Sequence, residues 1–124
     1  VLRILFTDSA TRQSDEIGVW SEDKFGKAAA DRYALLLARA VIDLAEAPEQ
    51  RGAMLVDGRI HYHIRHSQAS VPRSDRVASP RHLVIAKVVG DALWVLAFAH
   101  DGMVEELARR IDQGDAEVDR DRIL

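Results

Sequence analysis

The chain has no cysteine among its 124 residues. That absence excludes a disulfide scaffold, a thiolate zinc site and a cysteine nucleophile, and it fits a reducing compartment. Positive charge is also in short supply, with 17 Lys and Arg facing 20 Asp and Glu for a formal charge of −3. Bulk nucleic-acid binders neutralise phosphates with surplus Lys and Arg, so an acidic chain fits that class poorly. No long hydrophobic run is present. The most apolar stretch, Leu83 to Ala99, is broken by Lys87 and Asp91 and is too short to cross a bilayer as a helix. The first residues lack the basic segment, apolar run and small-residue cleavage site of a secretory leader, so the expected location is cytoplasmic, away from any membrane. There is no Gly-rich phosphate loop, no dinucleotide fingerprint, no Ser-His-Asp spacing and no internal repeat, and no cofactor is called for.

What is present is an ordinary folding composition, 48% apolar and 30% charged. The length bounds the chain to one domain, expected over residues 1–114, followed by a charged tail at 115–124. The charge is unevenly spread. Residues 1–50 carry −3, residues 51–82 carry +4 and residues 83–124 carry −4. Four of the five histidines, His61, His63, His66 and His82, also fall in the positive window. An acidic body with one Arg/His segment is the pattern of a scaffold carrying a site.

Apolar periodicity gives the elements. Leu2, Ile4 and Phe6 predict a first strand. Thr7, Asp8 and Ser9 offer capping oxygens to the helix that follows, whose apolar face holds Ala10, Ile17 and Trp20. Phe25-Gly26 breaks the chain. A second helix from Lys27 carries Ala29, Tyr33, Leu36, Leu37, Ala40, Val41 and Leu44 at three- and four-residue steps until Pro48 stops it. The short break predicts an antiparallel helical hairpin. After Gly58, Ile60, Tyr62 and Ile64 alternate with Arg59, His61, His63 and Arg65, a strand with one apolar and one basic face. Residues 68–80, with three Ser and two Pro, read as a loop. Leu83–Val89 and Ala92–Ala99 read as central strands joined at Gly90-Asp91. Asp101 then caps a last helix that Gly114 ends. The predicted fold is α+β: a helical hairpin on a mainly antiparallel, roughly four-stranded sheet with a short C-terminal helix, in the order β-α-α-β-β-β-α. Trp20 and Trp94 sit on apolar faces and are expected in the core.

Two constellations carry chemistry. His61 and His63 share a strand face and a spacing that can hold a metal, but Arg59 and Arg65 flank them and would repel a cation, so a solvated or partner-facing strand is expected and no metal. The second joins Arg65, His66 and Ser67 to Arg81, His82 and His100, all at the ends of the predicted strands. Arg with His suits an anion, and His suits acid–base work near neutrality.

The chain resembles the RelE/ParE superfamily of bacterial toxins from toxin–antitoxin (plasmid-stabilisation) systems. Ala10, Asp15-Glu16-Ile17, Trp20, Phe25-Gly26, Ala30-Asp31-Arg32-Tyr33 and the closing Leu44-Ala45-Glu46-Ala47-Pro48 look like its helical hairpin. Tyr62 to Ser67, Pro80-Arg81-His82-Leu83 and Val95 to Met103 resemble the strand motifs of one branch. The resemblance covers residues 3–112. It implies a growth-inhibiting toxin masked by a cognate antitoxin, in a possible hetero-oligomer. The turn into the last helix, His100-Asp101-Gly102-Met103-Val104-Glu105-Glu106, is acidic where the ribosome-dependent mRNA nucleases are basic, and no Tyr follows Tyr62. These departures favour the ParE-like branch, which poisons DNA gyrase and cuts no RNA. The alternative is a ribosomal A-site mRNA endoribonuclease with Arg65, His66, Arg81, His82 and His100 as its catalytic candidates. Arg59, His61, His63, Arg65 and Arg81 are the expected partner-binding residues, because antitoxins of this kind are acidic wrapping segments.

Overall fold

The structure, a computed structural model, describes residues 1–103. The chain runs β1 (Arg3–Phe6), α1 (Asp8–Phe25), α2 (Lys27–Glu46), β2 (Ala53–Val56), β3 (Arg59–His63), β4 (His82–Val89) and β5 (Ala92–His100). Two short 3-10 turns, Ile64–Ser70 and Arg73–Asp75, fill the connection between β3 and β4. Asp101–Met103 turn helical where the last helix is expected. The rest of that helix and the expected charged tail lie outside the described residues.

The Thr7 hydroxyl accepts from Ala10 N–H at 3.1 Å, closing the first turn of α1. Gly26, at φ +89°, ends α1 and opens α2, a conformation that L side chains disfavour. The two helices therefore fold back as the predicted hairpin. The stripe read from sequence becomes the buried side of α2, with Leu36, Leu37, Ala40, Val41 and Leu44 packed on Tyr62, Val84, Ala86, Leu93 and Val95 of the sheet. Burying each large apolar side chain there contributes about 1.5–3 kcal/mol.

The α+β class holds and the sheet is mainly antiparallel, but it has five strands rather than roughly four, so the element order holds with one strand added; the strands lie in the order β1-β5-β4-β3-β2. β1 runs parallel to β5, since the helical hairpin carries the chain back to the same end of the sheet, and the other neighbours are antiparallel. The additional strand is β2. Asp57 (φ 51°) and Gly58 (φ 79°) form a two-residue turn that folds Val56 onto Arg59. β4 and β5 are central, as expected, and turn at Gly90 (φ 61°). Their second face holds a smaller cluster of buried Ile85, Ala97 and Ala99.

A bulge in β5 sets up the site. Ile85 pairs with Ala97, but Ala86 pairs with Val95, so Leu96 is extra. The shift brings Phe98 and His100 onto the helical-hairpin side with Leu93 and Val95. The α1 cap and a side chain of α1 satisfy the disturbed backbone: Thr7 Oγ1 donates to the Leu96 carbonyl at 2.7 Å, and Gln13 Oε1 accepts from Phe98 N–H at 2.9 Å.

Candidate functional site

Because of that bulge, the last rung of the β4–β5 ladder pairs His82 with His100. Their rings meet edge to face, with centroids 5.4 Å apart. Tyr33, on the stripe of α2, reaches them. Its hydroxyl oxygen accepts from Arg81 N–H at 3.0 Å and lies 2.5 Å from His82 Nδ1. We assign the Tyr33 O–H as the donor to His82 Nδ1, since its oxygen already accepts from Arg81 N–H, and this assignment places the His82 proton on Nε2. Burial, reinforced by His100, lowers the His82 pKa to about 4, so this ring is neutral at physiological pH. Burial also pushes the Tyr33 phenol above its ordinary value, partly offset by the Arg81 N–H, and keeps it protonated.

Asp101 follows directly and binds in three directions. Its N–H donates to the Arg81 carbonyl at 2.8 Å. Its Oδ1 accepts from Arg81 Nε and Nη2 at 3.0 and 2.9 Å. Its Oδ2 lies 3.3 Å from His63 Nε2. His63 Nδ1 accepts from Arg65 N–H at 3.1 Å, so Nε2 carries the proton and donates to Asp101. Burial alone would raise the Asp101 carboxyl, but the His63 hydrogen bond and the Arg81 charge together hold it below its ordinary value. His100 Nδ1 accepts from Gly102 N–H at 3.1 Å, which again leaves the proton on Nε2. In that tautomer the 3.6 Å approach of His100 Nδ1 to Asp101 is not an ion pair.

The cluster borders a cavity of about 770 Å³ between the helical hairpin, the 76–82 segment and the end of β5. Ile17, Trp20, Phe25, Val77 and Phe98 line it with apolar surface, and Arg32, Arg76, Arg81, His82 and His100 add polar groups. Trp20 is not in the core. It is 53% exposed and stacks edge-on against the exposed Phe25, near the tip of the hairpin. Trp94 is half-buried.

Of the residues grouped from sequence, the structure brings together Arg81, His82 and His100. Ser67 is buried against the Tyr62 hydroxyl at 2.8 Å. Arg65 and His66 do not line the cavity. The chain leaves the strand after His63 and enters a 3-10 turn, so Ile64 and Arg65 no longer follow the strand alternation. His66 instead leans on the Tyr62 ring, with centroids 5.7 Å apart, and lies against Gly52. His61 is half-buried and His63 buried, while Arg59 is half-buried and Arg65 exposed. Sequence reasoning missed Tyr33, hidden as one more member of an apolar stripe, and Asp101, read only as a helix cap.

The fold and the site define a class: a small α+β protein with a helical hairpin on a mixed sheet and a cavity between them. A solved chain titled "Chromosomal ParDE TA system from P. aeruginosa" shares this fold with a TM-score of 0.61, at 14% identity over 80% of this chain and 95% of that one. The family model for the ParE toxin of type II toxin–antitoxin systems, parDE, matches residues 4–105. The chain belongs to the ParE toxin family. No curated protein matches it in sequence. Among the described residues no helix is long and apolar enough to cross a membrane.

Proposed function

We propose that the protein is the toxin of a type II toxin–antitoxin pair, inhibiting growth by poisoning DNA gyrase and held inactive by a cognate antitoxin. The observation that carries this reading is the family match over residues 4–105. The site supports a protein-directed toxin. The Arg81 guanidinium is committed to Asp101, and Arg65 and His66 stand away from the cavity, so the clamp that these residues were expected to form for RNA cleavage is not assembled among the described residues. A net charge of −3 is also a handicap among ribosomal phosphates. The antitoxin is an acidic segment that folds on the toxin. It meets Arg59, His61, Arg65 and Arg81, while His63, buried against Asp101, acts from beneath.

One observation favours a second reading, a ribosome-dependent endoribonuclease: His82 and His100 stand side by side next to Arg81. A supercoiling assay with purified gyrase, run beside an A-site mRNA cleavage assay, separates the two. Loss of supercoiling with accumulation of cleaved DNA is expected. Cleaved mRNA with untouched supercoiling would replace the first reading by the second. For the partner surface, the double change Arg59→Glu and Arg65→Glu is expected to weaken antitoxin binding by more than about 1 kcal/mol. Unchanged affinity by calorimetry would remove these residues from the interface.

A further inference from the structure

Each of the two cavity histidines has one ring nitrogen occupied. His82 Nδ1 takes the Tyr33 hydroxyl proton and His100 Nδ1 takes the Gly102 N–H. Each ring therefore carries its proton on Nε2, and neither Nε2 has a hydrogen-bond partner among the described residues. Both rings line the cavity. Donors that line a cavity without a protein partner are available to a ligand in place of water.

We infer that His82 and His100 form a receptor for one carboxylate, delivered by an acidic side chain on an apolar segment of the antitoxin; this rests on the toxin–antitoxin reading. The chemistry selects that group. Two neutral N–H donors match the two oxygens of a carboxylate. Arg81 and Asp101 cancel each other beside them, so the receptor itself has no net cation. The Asp101 carboxylate, 3.6 Å from His100 Nδ1, penalises a doubly charged phosphate more than a single carboxylate. Arg32 and Arg76 also line the cavity and make no ion pair with a described carboxylate, whereas the one acidic side chain beside them in the lining, Glu16, lies 3.9 Å from Arg12, and this balance favours an acidic occupant over a basic one. Trp20, Phe25 and Phe98 supply the apolar wall for the residues flanking the acid, and about 770 Å³ holds several side chains.

The subsite is tested first without any partner. The full chain is titrated with phenylbutyrate, with its neutral amide twin and with inorganic phosphate, while the imidazole nitrogens are followed by NMR. Phenylbutyrate is expected to move the Nε2 signals of His82 and His100 at millimolar concentration, with the amide inert and phosphate weaker. No shift, or phosphate acting as strongly as the carboxylate, would overturn the assignment. The second arm uses the acidic protein encoded beside this chain. His82→Gln and His100→Gln, each checked for an intact melting transition, are expected to weaken its binding at least tenfold. Wild-type affinity in both variants refutes the subsite and leaves the toxin–antitoxin reading standing. If that protein fails to bind even the wild-type chain, the reading fails, and the carboxylate titration alone then decides whether the two histidines form an anion receptor.

Discussion

Two polar networks sit about the same α2 helix, and they differ in one respect. Near its C-terminal end, buried Asp43 accepts from Arg39 Nε and from Ser70 Oγ, both at 3.0 Å, while Gln50 Nε2 donates to the Asp43 carbonyl at 2.5 Å. The Tyr62 hydroxyl, fully buried nearby, joins Ser67 and Gln50. This network is closed, because its members satisfy one another and pin the 3-10 turn after β3 beneath the helix. The second network joins Tyr33, His82, His100, Arg81, Asp101 and His63. It is equally well wired on one side and open on the other, where two cavity-lining imidazoles keep an N–H without a partner among the described residues. A closed network of buried polar groups argues for architecture, and an open one argues for binding.

That contrast is broken most severely at Asp43. Asp43→Ala removes the acceptor for Arg39 and Ser70 at a buried position, and should cost about 3 kcal/mol in urea unfolding. Asp101→Asn in the open network should cost less, about 2 kcal/mol, because the Arg81 side chain it releases is 60% exposed and returns to water. If Asp101→Asn proved costlier than Asp43→Ala, the open network would be the structural one.

How much of this was legible in the sequence follows from how each signal is encoded. The helical hairpin was legible because its stripe repeats over twenty residues and Gly26 marks the reversal. The β4–β5 pair was legible from two apolar runs around Gly90. β2 was not, because Ala53–Val56 is four apolar residues with no alternation. The Asp57-Gly58 pair was the available sign, and Gly58 read only as a beginning. The bulge at Leu96 is invisible to periodicity, yet it decides the face on which His100 lies. The basic strand was read one turn too far, since nothing in Ile64-Arg65-His66 announces a 3-10 turn. Long-range polar pairs such as Tyr33 with His82 leave no local pattern at all.

Acid should act on the open network in a definite direction. The His82 pKa falls from its ordinary 6.5 to about 4 on folding, chiefly through burial. The unfolded chain therefore binds more protons between these values. The contribution of neutral His82 is fully present above pH 6.5 and is lost as pH falls through the folded value near 4. The loss is on the order of 2 kcal/mol after allowing for the partial solvent access of the ring. His61, His63 and His66, also lowered mainly by burial, add in the same direction. Asp101, held low by His63 and Arg81 against burial, gives way only at more acid pH. Urea midpoints of the wild type and His82→Gln across this range provide the check, with a flatter profile expected for the variant. Parallel profiles would mean that the ring titrates alike in the folded and unfolded chain.

Tyr33→Phe removes both the donor to His82 Nδ1 and the acceptor of the Arg81 N–H. About 1 kcal/mol of stability should go with it. Tyr62→Phe in the closed network should cost about as much, so these two hydroxyls alone do not tell the networks apart.

The smallest expected effect separates them best. His100 is exposed, and its one side-chain hydrogen bond among the described residues accepts the Gly102 N–H, a role that a glutamine oxygen can also fill. His100→Gln should therefore shift stability by less than about 0.5 kcal/mol, the range of a surface change away from core packing. Its Nε2–H, however, is one of the two donors left open at the cavity. A side chain that the fold can spare but that holds an unpartnered donor in a cavity belongs to a binding surface. A loss of 2 kcal/mol or more in urea would show instead that His100 is part of the fold and that the open network is closed by something other than a ligand.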